Sequence, residues 1–227
     1  MSYDLINYFN RKFAKLYPQT TNNEPGPFIT ISRETGCAAN IIAENLKEKL
    51  SKRNSNWKII NKEIIDQAAG KLKVDKQRIN NIINAKDRTV ANEILDALST
   101  RYYKNDKTVL KAIAEVVKHD AEDGNIIIVG RGGVAVTQTV PNGIHIKLTA
   151  PLEWRINSMV QRRGMTNEEA AAFIKENDKK RAQLLEQLLR KKNSTTSFDL
   201  VINCATFSPP QTVSLILEAI NVKQLLG

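Results

Sequence analysis

The chain has 227 residues, 41% of them hydrophobic, with 34 lysines and arginines against 24 acidic residues and a formal charge of +10. That length holds one large α/β domain or two small ones. No apolar run approaches the roughly 20 residues of a membrane-spanning helix, and residues 1–17 lack the uninterrupted apolar stretch of a signal peptide. The charge favours a polyanionic partner. Aromatics are only 6% and the basic clusters are poor in them, which ranks a phosphorylated small molecule ahead of nucleic acid. The two cysteines, Cys37 and Cys204, fit a reducing cytoplasm. The two histidines, His119 and His145, offer no metal-ligand spacing.

In chain order, Leu5, Ile6, Phe9, Phe13 and Leu16 recur three or four apart and predict an amphipathic helix. It either packs on the flank of the domain or forms a homodimer contact. A Pro/Asn/Gly linker leads to residue 27. Residues 28–31 then predict a buried strand, and Ile41, Ile42, Leu46 and Leu50 a helix after it. Strand, small-residue turn and helix make a geometry that collects phosphate through main-chain N–H groups and the helix dipole. The candidate cradle is Thr35, Gly36, Cys37, Ala38, Ala39 and Asn40. Its spelling departs from the G-x-x-x-x-G-K-[ST] phosphate loop. Arg33 takes the first Gly, Ala38 the second, Ala39 the Lys and Asn40 the hydroxyl. A plain strand-to-helix junction is the competing reading.

Residues 57–60 predict a second strand, and Asn61 the N-cap of the helix after it. The chain to residue 123 is helical, with a break at 104–106, and reads as an insert capping one end of the sheet. Residues 126–129 are the most apolar strand, running into Gly130-Arg131-Gly132-Gly133. A short helix at 134–139 and a fourth strand at 144–148 follow. Pro151 is placed in the first turn of the next helix, which carries Arg155, Arg162 and Arg163. Thr166 to Glu169 reads as a capping box opening a long helix toward residue 192. Residues 198–203 predict a fifth strand, and Pro209 and Pro210 open a final amphipathic helix. Five strands alternating with helices require a parallel sheet covered on both faces. Ligands of such sheets bind beyond the C-terminal strand ends. Those ends carry Ser32 and Arg33, Asn61 and Lys62, Gly130 and Arg131, and Asn203, Cys204, Ala205 and Thr206.

Arginine suits phosphate because its fork binds oxygens in pairs. Arg131, between glycines after a central strand, and Arg33 are the strongest candidates. Arg162 and Arg163 are equally explained as complements of their own helix dipole. Asp178 and Arg181 form either a simple i,i+3 pair worth a few tenths of a kcal/mol or part of a lid over phosphates. The helix N-terminus beside Cys37 is expected to lower its pKa. Glu34 reads as a solvated turn carboxylate or a group near magnesium.

These motifs resemble the cytidylate kinase-like family. Ile29 to Glu34 with Gly36 is similar to its altered phosphate loop, I-S-R-E-x-G-S-G-G-R, from which Cys37, Ala38, Ala39 and Asn40 depart. Asn61-Lys62-Glu63-Ile64-Ile65 resembles its D-K-E-L-I, Val129 to Gly132 its V-G-R-G, and residues 198–203 its Y-D-L-V-I-N. Arg155, Arg162, Asp178 and Arg181 fall where the family has its helix and lid arginines and a D-x-x-R. The resemblance implies a three-layer P-loop NTPase-like fold over residues 28–220, with a helical insert at about 61–123 and a lid at about 162–197. Residues 1–27 are then a leading arm and 221–227 a tail. It also implies ATP-dependent phosphorylation of CMP or dCMP with Mg2+. Arg33, Arg131, Arg162, Asp178 and Arg181 are the implied catalytic set. Asn61, Lys62, Gly130, Arg131 and Arg155 are the implied substrate contacts. A nucleotide-binding protein with weakened catalysis, a kinase of another small acceptor and a basic nucleic-acid binder are the alternatives.

Overall fold

β1 (Phe28–Arg33) is the middle strand of a five-stranded sheet ordered β2-β3-β1-β4-β5. The other strands are β2 (Lys58–Ile60), β3 (Ile126–Val129), β4 (Gly143–Thr149) and β5 (Leu200–Asn203). The computed structural model describes residues 25–52, 56–60, 107–190 and 197–226. The helices described are α1 (Ala39–Ser51), α2 (Lys107–Asp123), α3 (Gly133–Thr137), α4 (Leu152–Arg163), α5 (Asn167–Arg190) and α6 (Pro209–Val222). Every strand pair is parallel, with Phe28 opposite Ile126 on one side and Gly143 on the other. The predicted amphipathic helix at the N-terminus, Asn61, Lys62 and the insert up to residue 106 lie outside the described residues.

The period-two alternation of a strand sends neighbouring side chains to opposite faces, and two cores result. Ile29 and Ile31 of β1 join Ile127, Ile144, Ile146 and Ile202 beneath α1 and α6, which contribute Ile42, Leu46, Val213 and Ile216. Phe28 joins Ile126 and Ile128 on the other face beneath Val117 and Ala121 of α2 and Val136 of α3. β3 is buried along its whole length, as its unbroken apolar run requires. The buried arc of α1 is Ala39, Ile42, Ala43, Leu46 and Leu50. Ile41, expected on that face, is 49% exposed, because a neighbour of Ile42 is turned about 100° around the helix. Among the described residues no helix is long and apolar enough to cross a membrane.

The ends follow local chemistry. The Thr166 N–H donates to Glu169 Oε2 (2.8 Å) and the Glu169 N–H to Thr166 Oγ1 (3.2 Å), closing the expected capping box. Ser208 and Gln211 close a second one ahead of Pro209 and Pro210. Pro151 is the N-cap of α4, one residue earlier than expected. Gly164 ends that helix at φ +68°, its N–H bonded to the Val160 carbonyl. β5 starts at Leu200, two residues later than expected. The Asp199 carboxylate instead accepts from the His145 N–H (2.7 Å) and from Lys223 Nζ (2.8 Å).

His145 lies half-buried on the α2 side of β4, its Nδ1 2.8 Å from Thr30 Oγ1 and its ring 5.9 Å from that of Phe28. Burial holds its pKa below the usual 6.5, and Lys223 adds to this while Asp199 opposes it. The folded state therefore prefers the neutral imidazole. Its contribution to stability is present above pH 6.5 and is lost as pH falls through the lower folded pKa. Urea midpoints measured between pH 7.5 and 5 should fall toward acid, and His145→Gln should flatten that fall.

Candidate functional site

Between β1 and α1 the chain turns through Glu34, Thr35, Gly36, Cys37 and Ala38. Gly36 has φ +102°, and a Cβ there would lie 2.8 Å from Arg155 Cβ and 3.0 Å from its backbone. Only glycine allows the loop to rest this closely on α4. The Thr35 N–H donates to Asp178 Oδ1 (2.8 Å), the Cys37 N–H to the Glu34 carbonyl (3.3 Å) and the Ala39 N–H to the Cys37 carbonyl (2.9 Å). Alternate amides of the predicted cradle are thus taken by the protein. The amides of Gly36, Ala38 and Asn40 remain the candidates for an anion at the N-terminus of α1, which Ala38 leaves without a side-chain cap.

Side chains of α4 and α5, with Glu34 of the turn itself, hold the loop. Asp178 of α5 accepts from the Thr35 N–H, from Thr35 Oγ1 (2.7 Å), from Arg155 Nη1 (2.6 Å) and from Arg181 Nη1 (3.2 Å). Arg155 is buried, donating through Nε to the Ala150 carbonyl (3.0 Å) and through Nη1 to that of Thr35 (3.2 Å). Glu34 Oε2 accepts from Thr149 Oγ1 (2.7 Å) and the Ala150 N–H (3.1 Å), with Arg155 Nε 3.6 Å away. It is therefore not the freely solvated turn carboxylate of the sequence reading. Arg162 and Ser158 both donate to the Gly36 carbonyl. Arg155, implied as a substrate contact, and Arg162 and Asp178, implied as catalytic, are thereby placed in the support of the loop. Asn177 bonds back to the Phe173 carbonyl of its own helix (2.9 Å).

A second group of arginines gathers at the strand ends. Gly130, Arg131 and Gly132 all have positive φ, at 76°, 55° and 67°. A left-handed arginine is uncommon, and strain of this kind persists where its surroundings enforce it. The Gly130 N–H bonds to the Ile31 carbonyl (3.0 Å), so the turn rises beside β1. The guanidinium of Arg33 lies against the Cα of Gly130, where any Cβ would overlap it. Burial, then the charges of Arg181 and Arg131, push the pKa of Arg33 down to about 9. Arg33, Arg131 and Arg181 therefore form one positive cluster. α5 passes above it, with Arg181 Nη1 donating to Thr35 Oγ1 (2.6 Å) and Leu188 against Gly132.

Cys37 differs from expectation. The Cys204 thiol and burial push its pKa up rather than down. Cys37 and the charge of Arg162 lower the pKa of Cys204 against the opposing effect of burial. Thr149, Ser158 and Leu188 were not among the predicted site residues. The i,i+4 spacing of Ser158 and Arg162 is a visible signal, whereas the other two arrive from distant segments.

The guanidinium cluster and the loop amides fit the phosphate oxygens of a nucleotide. The nearby carboxylates do not fit a protein-held magnesium ion, since Glu34 and Asp178 already accept several donors each. Among the described residues the one close His/acid group is His119, Asp120 and Asp123. It lies at the C-terminal end of α2, on the edge of the sheet where β3 begins and away from the loop.

A five-stranded parallel sheet covered on both faces, with a glycine turn between its central strand and α1, is a P-loop-type α/β fold. The cytidylate kinase-like family model matches residues 28–206. The chain belongs to that family. A crystal structure of an uncharacterized protein from Eubacterium ventriosum superposes with a TM-score of 0.60 at 16% identity, covering 86% of this chain and 98% of that one. A shikimate kinase from Bacteroides thetaiotaomicron superposes with a TM-score of 0.43 at 12% identity, covering 86% and 98%. A curated uronate isomerase from Corynebacterium glutamicum is 28% identical over 125 residues, 55% of this chain. The matched stretch spans 22% of that protein's length.

Asp178→Ala should leave Arg155 buried without its carboxylate and release the Thr35 N–H. A loss of about 3 kcal/mol is expected, as for breaking a buried pair from one side, read as a lower urea midpoint. Asp178→Asn, which keeps an acceptor oxygen, should lose less.

Proposed function

We propose that the chain transfers a phosphoryl group from ATP to a nucleoside monophosphate, with CMP or dCMP the first acceptors to test. The observation that carries this reading is the convergence of Arg33, Arg131 and Arg181 at the ends of β1 and β3, beside the loop and under α5. Phosphoryl transfer asks a protein mainly for positioning and for neutralisation of charge spread over phosphate oxygens. Like charges held together are costly alone and are relieved by an anion between them. In this reading the amides of Gly36, Ala38 and Asn40 hold one phosphate, and Arg131 and Arg181 hold the transferred or accepting group. Arg33 supplies the cation that Ala39 lacks. Arg155, Arg162 and Asp178 are positioning residues that keep the loop in place. Magnesium would be carried by the nucleotide's own phosphates, and Asn61 and Lys62 remain candidate contacts to the acceptor. Family membership supports a kinase-type activity; the acceptor is open, because a fold does not fix it.

One observation favours a second reading, a nucleotide-binding protein with weakened catalysis. Ala39 stands where a lysine would reach the phosphates, and the Thr35 hydroxyl is committed to Asp178 and Arg181.

A screen of nucleoside monophosphates with ATP and magnesium, read by diphosphate formation, tests the proposal. Diphosphate product with at least one pyrimidine monophosphate is expected. ATP binding by calorimetry with no product from any acceptor would favour the second reading. Arg131→Ala should weaken monophosphate binding about 10- to 100-fold, the range for a lost charge-assisted hydrogen bond. Unchanged affinity would remove Arg131 from the site.

A further inference from the structure

Arg131 stands in a stretch that cannot hold its own shape. Gly130 and Gly132 flank it, and all three residues have positive φ, at 76°, 55° and 67°. Glycine moves freely through this region, whereas a residue with a Cβ meets a steric cost there. The two glycines are therefore hinges on either side of a strained arginine. Charge adds to the strain, because Arg33 lies close enough to feel both Arg131 and Arg181, and like charges repel.

Contacts from elsewhere in the chain hold the two hinges. On one side the Gly130 N–H donates to the Ile31 carbonyl (3.0 Å), and the Arg33 guanidinium lies against the Gly130 Cα. On the other side Leu188 of α5 is seated on Gly132, where any Cβ would overlap its Cδ1. Leu188 is half-buried and packs against the core that contains Phe28, Ile128 and Val136. It follows Arg181 by seven residues (188 − 181). That is about two helical turns, so the two share one face of α5. Arg181 Nη1 donates to Thr35 Oγ1 of the phosphate loop (2.6 Å). One helix face thus touches both the loop and the Arg131 turn.

We propose that Leu188 is a positioning residue for the transfer: by filling the space over Gly132 it keeps Arg131 presented beside the loop, at a spacing set by α5. That Arg131 meets a phosphate rests on the function proposed above; that Leu188 holds the turn does not.

The contact works because one partner has no side chain. Backbone hydrogen bonds tie the turn to the start of α3: the Gly133 N–H donates to the Gly130 carbonyl (2.9 Å), and the Ala135 and Val136 N–H groups to that of Gly132 (2.9 and 3.0 Å). These bonds secure carbonyl oxygens. The leucine supplies the bulk that excludes other arrangements of a residue with wide conformational freedom. Cutting its isobutyl group back to a methyl opens Gly132 on that side. The repulsion among the guanidinium groups is then met by a loosened hinge, and Arg131 swings away from the loop.

The test is a double-mutant cycle on the full chain. It reads binding of CMP, or of the monophosphate returned by the screen above, in calorimetry, together with amide exchange at the Gly133 N–H. Leu188→Ala should weaken binding at least about fivefold, and should add no further loss in an Arg131→Ala background. Leu188→Met, of similar volume, should restore the affinity. Exchange at Gly133 should quicken about tenfold in Leu188→Ala, with the Ile29 and Ile31 amides of β1 unchanged. Unchanged affinity in Leu188→Ala, or an equal loss with and without Arg131, would overturn the action through Arg131. Exchange at Gly133 that is unchanged, or that rises equally in β1, would overturn the hold on the turn. If Leu188→Ala does not fold, Leu188→Val, one methylene shorter, is read in the same way. If Arg131→Ala binds no measurable monophosphate, the Met variant and the exchange decide. If the unsubstituted chain binds no nucleoside monophosphate, the nucleotide reading fails by itself, and exchange at Gly133 alone decides whether Leu188 holds the turn.

Discussion

The carboxylate of Asp178 is the point where the two halves of the molecule meet. It takes four donors at once, from the Thr35 backbone and hydroxyl, from Arg155 and from Arg181. Through these the turn after the central strand, α4 and α5 become a single unit, although they are separated by more than a hundred residues of chain between Thr35 and Arg155. The contact is half out of water, so each donor is held more firmly than on an open surface. For the same reason, removing any one partner leaves the others poorly satisfied.

Two kinds of arginine follow from that arrangement. Arg155 and Arg162 face carbonyls and carboxylates and act as struts for the loop. Arg33 faces other guanidinium groups and is pushed toward losing its proton. The side chain is the same in each case, and its neighbours decide whether it braces a fold or is crowded by like charge. Gly130 belongs to this division, because a methyl group on its Cα would displace Arg33 and open the cluster. The left-handed turn around Arg131 is of the same kind, a local cost accepted where the backbone must present one residue.

The departures of the loop from the family spelling acquire structural partners. Cys37 and Ala39 both join the core on the α1 face, Ala39 at the start of α1. Thr35, one residue before Gly36, makes contacts to Asp178 and Arg181. A loop lacking the usual lysine is therefore still a well-supported loop, braced by side chains from α4 and α5.

The order of elements, the parallel sheet and its two-sided cover were legible in the amino-acid sequence, because alternation of strand and helix and the apolar period of each are local properties. The cap at Thr166 and the stop at Gly164 were legible for the same reason. So was the presence of Arg33 and Arg131 at strand ends, since the ends of parallel strands are where the topology opens. What Arg155, Asp178 and Glu34 do there was not legible, because their partners are set by how α4 and α5 cross the loop rather than by spacing along the chain. That Cys37 and Cys204 share one core was hidden likewise, because β5 meets β4 only in the assembled sheet. Local patterning determined which segments this chain would form; the assembled layers alone decided which charges oppose and which attract, since those energies depend on distance in space.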